Sequence, residues 1–210
     1  MAEQLPLFHT PPREGLRTLR GFALPHAPGI LAAIEQVTVA APFRHMRVPG
    51  GGRMSVAMSN CGALGWVTDA LGYRYTPVDP LTGRPWPAMP EVISDLAVQA
   101  AEAAGFAGFM PNGCLINGYE PGARMGLHQD RDEPDGASPV VSISLGLPAT
   151  FLFGGLKRSD PVEKIVLEHG DAVVWGGPLR RAYHGVSPLK DGRHALLGRR
   201  RLNLTLRTAG

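Results

Sequence analysis

His128 and Asp130 stand two residues apart in the stretch GCLINGYEPGARMGLHQDRDEPD, residues 113–135. In an extended chain that spacing puts the imidazole and the carboxylate on one face, side by side, where they can hold a divalent cation. A third ligand must come from elsewhere, and His184 in RRAYHGVSP, 54 residues after Asp130, is the candidate. Two histidines and one carboxylate suit a non-haem ferrous centre that keeps coordination positions open for a co-substrate and dioxygen. The same ligands also suit zinc-assisted hydrolysis, and spacing alone does not separate the two.

A second chemistry lies in the run RLNLTLR near the C-terminus. On a strand, Arg201, Asn203, Thr205 and Arg207 face one way and three leucines the other. Two guanidinium groups on a buried face are costly unless an anion meets them. A dicarboxylate would do so, because guanidinium forks bind carboxylates in bidentate fashion. On an exposed face the same residues would simply be solvated. Asn117 and Tyr119, in the NGY approach to the metal pair, share a face and offer polar groups suited to the same small acid.

These residues need strands to position them, and from about residue 113 the pattern is β. Strands are expected at 114–119, 139–146, 149–155, 164–169, 171–177, 180–186 and 200–207, with Gly and Pro between them, which argues for a sandwich or barrel. Upstream, GLRTLRGFAL (15–24) alternates enough for a strand. HAPGILAAIEQVTVAAP then places Ile30, Ile34 and Val37 at helical spacing. A second helix follows Pro90, with Val92, Ile93, Leu96, Ala100 and Ala103 on one side and Gly105 as its C-terminal cap. Both helices are expected on the outside of one sheet. Between them, residues 43–80 are rich in Gly, Met and aromatics and suggest hairpins and ordered loops that could cover a site as a lid. Trp66, Tyr73 and Tyr75 could stack on a planar ligand there, or anchor the lid to the core.

A chain of 210 residues can bury one sizeable core. MAEQLPLFHTPPREG lacks the apolar centre of a signal peptide, and no run is long and apolar enough to cross a membrane. Cys61 and Cys114 read as two reduced, buried thiols rather than a disulfide framework. A cytoplasmic monomer is expected, in a compartment reducing enough to keep iron ferrous. The net charge of +3 is mild but clustered. Arg44, His45, Arg47 and Arg53 form one group; Lys190, Arg193, His194, Arg199, Arg200, Arg201 and Arg207 form another. Such clusters can track a phosphate backbone or serve only as solvated surface.

The stretches PFRHMRVPGGGRMSVAMSNCGALGW, PWPAMP, INGYEPGARMGLHQDRDEPD, PVVSISLGLPATFLFGGLKRSD, LEHGDAVVWGG and RLNLTLR together resemble the AlkB family of Fe(II)- and 2-oxoglutarate-dependent dioxygenases, in particular its bacterial members. The resemblance runs from about residue 15 to the end. It implies a mainly β fold with flanking helices: a double-stranded β-helix (jelly roll) over 111–210, an N-terminal extension with helices and a nucleotide-recognition lid over 15–110, and a flexible arm over 1–14. It further implies that His128, Asp130 and His184 hold Fe(II), and that Asn117, Tyr119, Arg201, Asn203 and Arg207 bind 2-oxoglutarate, with O2 as the second co-substrate. By the same resemblance Met58, Trp66, Tyr73, Arg74, Tyr75, Asp132 and Arg158 touch the substrate, Trp66 stacking on the base against His128 and Asp132 facing the base's polar edge. The implied reaction removes methyl groups from bases such as N1-methyladenine and N3-methylcytosine in single- or double-stranded DNA, or in RNA, releasing formaldehyde, succinate and CO2. Such bases are cationic, so Asp132 is expected to favour them over neutral ones. A 2-oxoglutarate oxygenase acting on another substrate and a silent nucleic-acid-binding module are the alternatives. Gly118 departs from the pattern, where the family member most resembled has Arg; its side chain is expected to point away from the cofactor.

Overall fold

The computed structural model describes residues 13–131, 133 and 136–210. Along them run β1 (Leu16–Leu19), α1 (Ala27–Ala40), β2 (Ala57–Gly62), β3 (Gly65–Asp69), β4 (Gly72–Thr76), α2 (Glu91–Ala103), β5 (Gly113–Tyr119), β6 (Met125–His128), β7 (Val140–Gly146), β8 (Ala149–Phe153), β9 (Glu163–Leu167), β10 (Ala172–Trp175), β11 (His184–Val186) and β12 (Arg201–Arg207). The strands form a six-stranded sheet ordered β1-β10-β7-β12-β5-β2, a four-stranded sheet ordered β6-β11-β8-β9, and the two-stranded hairpin β3-β4. Every pairing is antiparallel. The two larger sheets enclose the site between them, a jelly-roll arrangement with both helices against the outer face of the six-stranded sheet.

Alternation along the central strands separates two layers of core. Leu202, Leu204 and Leu206 of β12, Cys114 and Ile116 of β5, and Val141, Ile143 and Leu145 of β7 turn toward the helices and join Ile30, Ile34, Ile93 and Leu96 in one apolar cluster. The intervening residues turn inward, where Tyr119, Val140, Phe151, Phe153 and Trp175 build a second cluster. All seven residues of β12 are buried, so the two arginines on its inner face are not a solvated edge. Burying an Ile, Leu or Phe side chain stabilises by roughly 1.5–3 kcal/mol, and this double layer holds the polar inner face in place.

Several elements differ from the expectation. The first strand stops at Leu19, because Gly21 turns the chain with φ +61° and Arg20 ties to buried Asp171 at 2.6 Å. In α2 the buried stripe is Ile93, Leu96, Ala97, Ala100 and Ala101, while Ala103 is exposed. The expected strand at 180–186 is strand only over His184–Val186, and buried Arg180 precedes it. From the N-terminal part, β1 and β2 are the two edge strands of the six-stranded sheet. Cys61 and Cys114 are buried free thiols opposite each other across β2 and β5. No helix among the described residues is long and apolar enough to cross a membrane.

Candidate metal centre and its two cavities

The candidate metal ligands are brought together by strand register. His184 on β11 lies directly opposite His128 on β6, and the register then shifts before Val186 pairs with Met125. This bulge puts two residues of β6 against one of β11 beside the site, a device that bends a strand and re-aims its side chains. Gly185 permits the close approach, for a Cβ there would lie 2.7 Å from the Met125 carbonyl oxygen. Asp130 follows two residues past the end of β6. Its Oδ1 is 3.7 Å from Nε2 of both histidines, and the three ligand atoms lie within 4.8 Å of one another.

The outer nitrogen of each imidazole is occupied. Nδ1 of His128 donates to the Gly126 carbonyl at 2.9 Å, and Nδ1 of His184 donates to the Ala182 carbonyl at 3.0 Å. A carbonyl only accepts, so Nδ1 carries the proton and the Nε2 lone pair faces the cluster, as a metal ligand requires. Burial pushes His184 down to about 4, which keeps it neutral near pH 7. Burial alone would raise the Asp130 carboxyl, but Arg207 and the two imidazoles hold it well below the usual carboxylate range. Arg207 Nε donates to Asp130 Oδ2 at 2.8 Å, which leaves Oδ1 turned to the histidines.

Two cavities meet at this cluster, and His128 and Arg207 line both. The inner one is also lined by Asn117, Tyr119, Ser142, Trp175, Arg201, Asn203 and Thr205. Arg201 is 1% exposed, lies over the Tyr119 ring at 4.9 Å and gives one Nη2 bond to Ser144 at 2.9 Å. Its Nε and Nη1 have no partner among the described residues, nor have Asn117 Oδ1 and Trp175 Nε1. Buried donors of a charged group left this way cost about 1–3 kcal/mol each, so such a group asks for an anion. Asn203 is engaged already: its Nδ2 donates to Ser142 Oγ at 2.8 Å and the Ile143 carbonyl at 3.0 Å, while its Oδ1 accepts from Thr205 at 3.1 Å.

The outer cavity, of about 480 Å³, is walled by Met54, Met58, Trp66, Tyr73, Tyr75, Met125, His128 and Glu133 among others. The β3-β4 hairpin supplies the aromatic wall, with Trp66 and Tyr73 stacked at 5.8 Å. Buried Asn60 clamps that hairpin to β2, its amide bonding both the Trp66 N–H and carbonyl at 3.0 Å. Tyr73 and Tyr75 share a face, and Arg74 takes the opposite one. Arg74 binds Asp69 through both Nη atoms at 2.8 Å and does not line the cavity. Arg158 is an exposed rim residue that donates to the Leu127 carbonyl at 3.0 Å. Asp132 lies outside the described residues. Gly118 points its missing side chain at Arg200, which stacks on Phe43 at 4.4 Å, away from the inner cavity.

Glu133 follows Asp132 in the sequence. It is 5% exposed, accepts from the Tyr75 hydroxyl at 2.6 Å, and sits 3.3 Å from Arg207 and 3.5 Å from Arg180. Gln129, between the ligands His128 and Asp130, donates to the carbonyls of Arg181 at 2.6 Å and Leu156 at 3.3 Å, so it ties this strand end to the loops around it. Its place between two ligands was the only signal in the sequence. Of the C-terminal basic group, Arg201 and Arg207 are internal and Arg199 is paired with Asp191. Those three are not free to track a phosphate backbone.

Comparison with known proteins agrees with this geometry. A profile of the 2OG-Fe(II) oxygenase superfamily matches residues 15–207. The alpha-ketoglutarate-dependent dioxygenase AlkB of Salmonella typhimurium is 55% identical over 208 residues, 99% of this chain and 96% of its own length. The protein of that name from Escherichia coli is 56% identical over 196 residues, 93% and 91% of the two chains. The solved structure of OsALKBH1 superposes with a TM-score of 0.82 at 30% identity, covering 97% of this chain and all (100%) of that one.

Proposed function

This chain belongs to the 2OG-Fe(II) oxygenase superfamily, and from that premise we infer that it is an alkylated-nucleobase dioxygenase of the AlkB type. The observation that carries the reading is the junction of two cavities at one ligand cluster. One cavity ends on a buried arginine with unmet donors, and the other is walled by aromatic side chains.

The donor set fits iron. His128, Asp130 and His184 would hold Fe(II) through Nε2, Oδ1 and Nε2, one face being left to other ligands. The polar lining of the inner cavity suits the chemistry of 2-oxoglutarate: Arg201 would take its distal carboxylate with Tyr119, and Asn117 would meet the end nearer the metal. Asn203, which lines the same cavity and bonds Ser142 and Thr205, would join them in binding 2-oxoglutarate. With dioxygen, the bound iron and 2-oxoglutarate supply the oxidation of an alkyl C–H bond, and a hydroxylated N-methyl group then leaves the base as formaldehyde.

The chain's own residues do the rest. Arg207 fixes Asp130 and keeps its free oxygen aimed at the metal site. Trp66 and His128 would sandwich an extruded base, and stacking of this kind contributes about 1–3 kcal/mol. Met54, Met58 and Met125 give the cavity an apolar lining. Glu133 lines the cavity, and Asp132 is expected from the sequence to add a carboxylate toward a base that methylation at N1 of adenine or N3 of cytosine has made cationic; a charge-assisted contact would favour it by about 1.5–3 kcal/mol. The substrate strand is DNA or RNA; the name of one further relative, the mouse nucleic acid dioxygenase ALKBH1, is broad enough for either.

The test is anaerobic incubation with Fe(II), 2-oxoglutarate and an oligonucleotide carrying one N1-methyladenine, followed by oxygen and mass measurement. Loss of one methyl group that needs all three additions is expected. Loss without 2-oxoglutarate would overturn the reading in favour of hydrolysis.

A further inference from the structure

Between α1 and β2 the chain makes a small hairpin that the chemistry above does not use. The Met54 N–H donates to the Met46 carbonyl and the Val48 N–H to the Gly52 carbonyl, both at 2.9 Å. Pro49, Gly50 and Gly51 close it: the Gly51 N–H donates to the Val48 carbonyl at 2.8 Å, and Gly51 takes φ +82°. That is a three-residue loop whose last position is left-handed, a conformation that favours glycine.

Arg47 and Arg53 face each other across this hairpin. The two flanking backbone bonds make them a non-hydrogen-bonded pair, the position where opposed Cα atoms come closest, about 4.5 Å. Side chains of such a pair leave the ribbon on the same side, and like charges there are destabilising. Both arginines are exposed, and neither has a hydrogen bond or ion pair among the described residues. Two other arginines in the same part of the chain are neutralised: Arg44, three residues from Arg47, binds Asp79 at 2.7 Å, and Arg74 binds Asp69 at 2.8 Å.

The hairpin's base also reaches the outer cavity. Met54, adjacent to Arg53 and on the opposite face of the ribbon, lines it beside Trp66 and His128. His45 Nδ1 donates to the Met54 carbonyl at 2.9 Å, and Ser55 Oγ donates to the Arg124 carbonyl at 3.0 Å while accepting its N–H at 3.1 Å. These bonds hold the pair in a fixed relation to the cavity mouth.

We propose that Arg47 and Arg53 form a clamp for one phosphodiester of the strand whose extruded base enters the cavity. The proposal rests on the nucleobase reading above. Two guanidinium forks that leave the ribbon on the same side match the two free oxygens of a phosphodiester, whose charge would relieve their mutual repulsion. The contact fixes the strand's position without reading its sequence.

The test compares the wild type with the double variant Arg47→Gln/Arg53→Gln, whose changes lie on an exposed turn. Binding of a methylated trinucleotide is followed by fluorescence anisotropy across a salt series, and turnover by formaldehyde release. The double variant is expected to bind about tenfold more weakly at low salt, with the slope of log K against log salt shallower by about 0.7. Its KM for the trinucleotide should rise in parallel with kcat within about twofold, because a phosphate contact positions the strand and leaves the chemistry alone. The KM for the methylated mononucleoside, which has no phosphodiester, should not move. Replacing one phosphate by a neutral methylphosphonate should erase the difference between the two proteins. Equal affinity and equal salt slope in both proteins would overturn the clamp, as would a difference that persists on the mononucleoside. Because binding is read without turnover, a wild type that binds the strand but releases no formaldehyde would refute the proposed reaction and leave the clamp supported by its salt slope.

Discussion

Replacing Arg201 by Met should make the ligand-free protein more stable while removing its response to 2-oxoglutarate. Arg201 is 1% exposed, and its Nε and Nη1 have no partner among the described residues. At about 2 kcal/mol each, the two unmet donors cost about 4 kcal/mol, before any penalty for burying the charge itself. Against this stand the Tyr119 ring at 4.9 Å, about 2 kcal/mol when desolvated, and the Ser144 bond at 2.9 Å, about 1.5 kcal/mol. Adding the charge penalty, methionine of similar length should gain about 2 kcal/mol, or about 4–8 °C in Tm for a chain of this size. The assay is thermal unfolding with and without 2-oxoglutarate, in the presence of Mn(II) to avoid turnover. Wild type should gain stability with the ligand according to its occupancy, and the variant should not. A ligand-free variant that melts below the wild type would refute the reasoning, as would one that 2-oxoglutarate stabilises as strongly as it does the wild type.

Trp66→Ala should lower kcat/KM on a methylated oligonucleotide about tenfold to a hundredfold, the stacking contribution of one base, and leave the 2-oxoglutarate-dependent thermal shift intact. Tyr75→Phe removes the 2.6 Å bond to Glu133 and should cost about 1–2 kcal/mol of stability, measured by urea unfolding, with a larger loss of kcat/KM on cationic than on neutral adducts. His184 sits at about 4 when folded against about 6.5 unfolded, so the unfolded chain binds the proton more readily. The metal-free protein should therefore lose about 3 kcal/mol from this group as the pH falls from about 6.5 to about 4, and His184→Gln should flatten that part of the profile.

Much of the site was legible because strand periodicity carries it. The alternation of Arg201, Asn203, Thr205 and Arg207 with three leucines survives intact in β12, one set toward the cavity and the other toward the helices. The metal ligands were legible as a spacing, although Asp130 lies beyond the end of β6 and reaches the histidines from irregular chain. What the sequence could not express was pairing between distant segments. Arg44 looked like surface charge until Asp79, 35 residues away, neutralised it. Glu133 stands between Asp132 and Asp135 in the sequence, yet Tyr75, Arg180 and Arg207 reach it from three distant segments. Arg47 and Arg53 looked like part of a diffuse cluster, and only the hairpin register sets them face to face. The end of β1 at Leu19 follows from a left-handed glycine and a contact to Asp171, neither of which alternation registers.

The most direct test of the whole account is to run the reaction under 18O2 with Fe(II), 2-oxoglutarate and an oligonucleotide bearing one N1-methyladenine. Oxidative coupling requires one succinate per methyl group lost, with a single 18O atom in the new carboxylate. Methyl loss with unlabelled succinate, or with none, would contradict it and return the ligand set of His128, Asp130 and His184 to hydrolytic chemistry.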